Sequence, residues 1–114
     1  MNSSEDFKAI CLLFDQVVEL PHFEKTSFRV SGKIFATFDE QKATACIKLS
    51  EVDQSVFCDC NKDAIYAVPN KWGKQGWTMI DLEKVNDELL HDALRTAYCT
   101  VAPKKLADIY KSAE

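Results

Sequence analysis

Hydrophobic positions change period repeatedly along this chain of 114 residues, and each change marks an element. Phe7, Ile10, Cys11, Phe14, Val17 and Val18 recur at helical spacing and form one apolar stripe. They predict a first helix, capped at Ser3 or Ser4 with Asp6 placed as in a capping box, and stopped by Pro21. The period then drops to two. Phe28 and Val30 alternate with Ser27, Arg29 and Ser31, as in a half-buried strand. Ser31-Gly32 is a compact hairpin turn, residues 33–38 a second strand, and residues 39–42 a polar turn into a third strand over 43–49.

Ser50 reads as an N-cap, with Glu51 and Asp53 favouring the positive end of a short helix that ends near Asn61. Residues 65–68 form a strand closed by Pro69, and residues 77–82 a fifth strand. Asn86 caps a last helix carrying Leu89, Leu90, Ala93, Leu94, Ala97, Tyr98 and Val101. Pro103 breaks it or opens one more helical turn with Leu106 and Tyr110. The order α-β-β-β-α-β-β-α predicts an α+β fold of two layers, an antiparallel sheet packed on helices. Length, and the lack of any linker or repeat, predict one domain over residues 1–114.

Parity along the strands sorts the side chains. With Phe28 and Val30 against the helices, Lys25, Ser27, Arg29 and Ser31 point the other way. The same alternation puts Ile34, Ala36 and Phe38 inward, and Lys33, Phe35 and Thr37 outward. It places Cys46 and Lys48 outward as well. Between the last two strands lies NKWGKQGW (residues 70–77), which holds both tryptophans, two of the three glycines, Lys71 and Lys74. Glycine permits the sharp turn such a loop needs.

Charge changes this picture. The formal net charge is −4, with a sequence pI of about 5.2, which argues against a generic nucleic-acid coat. Its distribution is uneven: residues 25–49 carry five bases against two acids, and residues 66–80 carry Lys71 and Lys74 with no acid. Residues 1–24 and 81–95 carry five acids each. Two readings of the outer face stand side by side, an ordinary solvated surface and a basic face holding phosphates, with Phe35 or Trp72 stacking.

Catalytic chemistry finds little support. The chain has no P-loop, GxGxxG, HExxH or GxSxG. Cys58-Asp59-Cys60 is not a CxxC pair, His22 and His91 lie far from it in sequence, and neither a metal nor another cofactor is expected. His22 reads as a structural residue and His91 as an exposed one. The odd count of five cysteines, the polar acidic start and the absence of a ~20-residue apolar run predict a cytoplasmic protein with free thiols and no membrane segment.

Taken together, Leu20-Pro21-His22-Phe23-Glu24, Phe28-Arg29-Val30, Gly32-Lys33-Ile34-Phe35-Ala36, Trp72 with Gly76-Trp77, and the run from Ala97 to Lys105 resemble the MmcQ/YjbR family over nearly the whole chain. The resemblance implies a two-layer fold similar to secretion chaperones. It also implies the family's description as DNA-binding proteins with a double wing of hairpins, and it brings no catalytic residues. The leading expectation is a monomeric binding protein, not an enzyme, that contacts DNA. Lys25, Arg29, Lys33, Lys48, Lys71 and Lys74 would meet phosphates, with Phe35 and Trp72 as stacking groups. The alternative is a chaperone-like module that binds a protein or peptide at a sheet edge. A third possibility is a small-molecule pocket under Trp72 and Trp77, lined by His22.

Overall fold

A computed structural model describes residues 4–111 of the chain; the cap expected at Ser3 lies outside them. The elements are α1 (Ser4–Leu13), β1 (Val18–His22), β2 (Lys25–Val30), β3 (Lys33–Asp39), β4 (Thr44–Lys48), α2 (Glu51–Cys60), β5 (Ile65–Ala67), α3 (Lys71–Lys74), β6 (Trp77–Asp81), α4 (Asp87–Val101) and α5 (Lys104–Lys111). The strands form one antiparallel sheet in the order β1-β2-β3-β4-β6-β5. Helix α4 packs across β3 and β4, with α1 and α5 beside it and α2 at the β5 edge. The expected α+β architecture of sheet on helices is therefore what forms. Among the described residues no helix is long and apolar enough to cross a membrane.

Three local outcomes differ from the pattern-based expectations. Helix α1 stops at Leu13, well before Pro21, because Gln16 takes a left-handed φ of 61° and turns the chain back. The apolar residues that follow enter an additional strand, β1, whose Val18 pairs with Arg29 and whose His22 pairs with Lys25. Pro21 is accommodated there because β1 is an edge strand, where a missing backbone donor is tolerated. Likewise, the Trp/Gly segment is not all loop. Asn70 Oδ1 accepts the Trp72 amide at 2.8 Å and caps the four-residue helix α3. Pro103 has both of its anticipated effects, separating α4 from α5 and opening the latter.

The third difference decides which face two side chains occupy. Phe28 pairs with Ala36 and Arg29 with Ile34, so β3 carries one extra residue, Phe35, in a bulge. Simple alternation fails there. Phe35 joins Ala36 on the helix side and is fully buried, while Ile34 turns to the outer face. Phe35 meets Tyr98 edge-on at 5.6 Å and Phe14 at 6.3 Å, and Phe14 stacks on Tyr98 at 4.9 Å. The Tyr98 hydroxyl donates to Asp15 O at 2.7 Å, and the Asp15 amide donates to the Tyr110 hydroxyl at 2.8 Å. Burial pushes the Tyr98 phenol up to about 12, with Tyr110 adding to the shift. These bonds tie α4 and α5 to the turn after α1.

Two glycines fix the far end of the sheet. Gly76 has φ +102°, and a Cβ on it would lie 1.8 Å from Leu49 O. A Cβ on Gly73 would lie 2.0 Å from Val68 O. Gly32 also has positive φ, +79°, but faces open space. Gly76→Ala is therefore expected to lose at least ~2 kcal/mol, a Tm fall of about 8 °C or more, against roughly 1 kcal/mol for Gly32→Ala. Thermal unfolding of both variants checks this, and equal losses would contradict the close approach at Leu49. Phe35→Ala should cost about 3–5 kcal/mol in denaturant unfolding, as a core truncation does. A cost under about 1 kcal/mol would return Phe35 to the surface.

Candidate nucleic-acid interface

Helix α4 covers one side of the sheet at β3 and β4, and three cross-strand rows run over the other. Leu20, Ser27, Thr37, Cys46, Met79 and Tyr66 form the central row. Val18, Arg29, Ile34, Lys48 and Trp77 lie on one flank. His22, Lys25, Asp39, Thr44 and Asp81 lie on the other. Between the rows is a groove of about 520 Å³. Its apolar lining is Ile34, Val68, Met79 and the two indoles, Trp72 and Trp77; its polar lining is His22, Lys25, Thr37 and Cys46. No aspartate or glutamate lines it.

The indoles are held from behind. Gln54, on α2, donates from Nε2 to Gly73 O at 2.9 Å, to Trp77 O at 3.2 Å and to Thr78 Oγ1 at 3.1 Å. Thr78 in turn donates to Gly76 O at 3.0 Å. One amide thus joins α3, which carries Trp72, to β6, which carries Trp77. The close approaches of Gly73 and Gly76 seat the same segment on Val68 and Leu49. Trp72 is left half exposed at 50% while its backbone is fixed. Such support pre-organises a contact surface.

The expected bases sort unevenly. Lys25 lines the groove, while Lys33 and Lys48 line a neighbouring depression of about 280 Å³ with Ile34 and Trp77. The Lys48 ammonium donates to Gln75 O and lies 5.6 Å from the Trp77 ring centroid. Lys71 Nζ lies 5.8 Å from the Trp72 ring centroid. Arg29 donates from Nε to Ser27 Oγ at 3.0 Å, which holds its guanidinium along the outer face. Lys74 is exposed on α3 without lining either hollow. Phe35 is excluded, since the bulge buries it in the core.

Several residues of this surface were not singled out by sequence. Ile34 and Met79 become groove lining, the former only through the bulge. His22, read as structural or as the lining of a pocket under Trp72 and Trp77, stands at the groove wall with both indoles. Phe23, beside it in the β1–β2 turn, is 95% exposed with φ 59°, and its ring meets that of His22 at 4.8 Å. An aromatic between a histidine and an acid at a hairpin tip is the only sequence signal for it. His91 is exposed on α4, as expected. Among the described residues no group of three or more His, Cys, Asp or Glu side chains is placed to hold a metal ion.

Acids gather at the starts of two helices and at one end of the sheet. Glu5 and Asp6 open α1, and Asp87 and Glu88 open α4, on the helical layer. Asp39 and Asp81, on the outer-face row that also holds Lys25, are engaged by turn amides of Lys42 and Glu83 at 3.3 and 3.0 Å. Three ion pairs of the described residues, Lys8–Glu19, Arg95–Asp92 and Lys104–Asp108, involve none of the groove-side bases.

Burial pushes the Cys46 thiol at the groove floor up to about 11, although the Lys25 ammonium pulls against it. The thiolate fraction at pH 8 is then about 100-fold below that of an ordinary thiol. Iodoacetamide at pH 8 should modify exposed Cys60 well before Cys46, and raising the pH toward 10 should accelerate Cys46 selectively. Mass mapping of alkylated peptides reads the order; early modification of Cys46 would contradict its burial.

Comparison with known proteins places this architecture. No curated protein matches the chain in sequence. The crystal structure of the Deinococcus radiodurans protein DR2400, which carries a DUF419 domain, is similar with a TM-score of 0.79 at 20% identity. The match covers 99% of this chain and 88% of that one, and at this identity it speaks to the fold. The family model for YjbR matches residues 12–100, from the end of α1 to the last turn of α4. That span carries the sheet, its bulge and both tryptophans, and the chain belongs to the YjbR family.

Proposed function

We propose that this protein is a non-catalytic binding protein that takes nucleic acid on the open face of its sheet. Lys25, Arg29, Lys33, Lys48, Lys71 and Lys74 meet phosphates, and Trp72 supplies a stacking surface. The observation that carries this reading is the groove itself, with two indoles and a lysine in its lining and no acid. Phosphate contacts from lysine and arginine supply most of the affinity in such complexes, and exposed aromatic rings on a sheet add base stacking. Five free cysteines are consistent with a reducing, cytoplasmic setting.

Addition of a peptide strand has less support. The β1 edge contains Pro21, which lacks a donor, and the β5 edge is three residues long. Exposed Val18 and Leu20 on β1 are the features that favour it.

Lys71→Ala combined with Lys74→Ala should weaken binding of labelled DNA. It should also reduce the slope of log affinity against log salt by about 1–2, as expected for two lost phosphate contacts. Fluorescence anisotropy across a salt series measures both. An unchanged slope would remove α3 from the interface, and no binding at low salt would end the nucleic-acid reading.

A further inference from the structure

The groove and its basic surroundings make different chemical demands. A phosphate is satisfied by a lysine ammonium at the surface, and the bases around the face offer several. The groove interior offers an anion far less: Ile34, Val68, Met79 and two indoles make up its apolar part, and Lys25 is its one lysine. A ligand filling this space must be flat or apolar over most of its surface and carry a few hydrogen-bonding atoms. Those atoms would meet His22, Thr37 and Cys46. An unstacked nucleobase has this chemistry, with two π-faces and a polar edge. A base within a duplex does not, because its faces are covered by neighbours and its pairing edge is occupied.

From this difference we infer that the groove is a pocket for one unstacked base of a single-stranded nucleic acid, an assignment that rests on the function proposed above. Trp72, half exposed and fixed through α3, offers its ring to the base. The strand continues past the pocket on either side, its phosphates passing Lys25 near β1 and Lys48 and Lys71 near β6. The open hollow, about 520 Å³, has room for a base together with its sugar. A pocket of this kind gives the basic face a preference it would otherwise lack, since phosphates alone do not separate one strand from two.

Four probes test the assignment on the intact protein: a dT12 oligonucleotide, an abasic oligomer of equal length and charge, a 12-base-pair duplex, and thymidine monophosphate. The expected result is about ten-fold tighter binding of dT12 than of the abasic oligomer or the duplex, from the loss of one stacked base. Trp72→Ala should abolish that preference while leaving the abasic affinity nearly unchanged. A second readout needs no variant: dT12, and not the abasic oligomer, should protect Cys46 from alkylation at pH 9. Equal affinity for dT12 and the abasic oligomer would overturn the pocket and leave the phosphate-binding face intact. Tighter binding of the duplex would do the same. Thymidine monophosphate binding as tightly as dT12 would overturn the single-strand assignment in favour of a free nucleotide. Absence of binding by all four would overturn both this assignment and the nucleic-acid function beneath it.

Discussion

A strand can send only every second side chain to a given face, and β3 breaks that rule once. The extra residue at Phe35 lets two consecutive side chains, Phe35 and Ala36, enter the helical layer. This is the constraint on which much of the molecule depends. On the inner side it delivers a ring to the cluster of Phe14, Tyr98 and Tyr110, which joins the turn after α1 to α4 and α5. On the outer side it releases Ile34 into the groove. Without the bulge, an apolar residue would leave the binding surface and an aromatic would replace it. Core packing and surface chemistry are therefore set by one irregularity.

The opposite wall of the groove is built on another principle. There the backbone approaches so closely that side chains are excluded: Gly73 lies against Val68 and Gly76 against Leu49. Gln54 then satisfies three acceptors across the same junction. A side-chain amide that bridges two elements in this way stiffens their junction. The two indoles differ accordingly in setting. Trp77 is partly covered and accompanied by Lys48, while Trp72 stands clear on a helix too short to be stable alone. Tertiary contacts, not helix propensity, keep α3 in place.

Much of this was legible in the residues. The polar N-caps Ser50 and Asn86, the Ser31-Gly32 hairpin and the strict alternation of β4 are local signals, and local physics decides them. The misplaced end of α1 has a different origin. Val17 and Val18 fit a helical stripe as well as a strand, and only the turn at Gln16 separates the two. The face of Phe35 was unreadable for a similar reason, since a bulge is defined by the partner strand. Of the site, the basic residues were legible by type and parity. A hollow under the two tryptophans with His22 in its lining was also among the readings, but the share of Ile34, Cys46 and Met79 in it was not, because the bulge and the pairing of β4 with β6 decide it.

The strand order has a consequence for how the groove comes into being. Strands β1 to β4 pair with one another in sequence order, and β5 pairs with β6; the two units meet along a single seam between β4 and β6, Lys48 beside Trp77 and Cys46 beside Met79. The groove straddles that seam. His22, Lys25, Ile34, Thr37 and Cys46 come from the first unit, and Val68, Trp72, Trp77 and Met79 from the second. On the ribosome the first unit emerges with half a pocket, and the hollow exists only after the later strands have docked. A molecule lodged in it acts as a clasp across the least local joint of the sheet. Opening of that joint and departure of the occupant are then two views of one event.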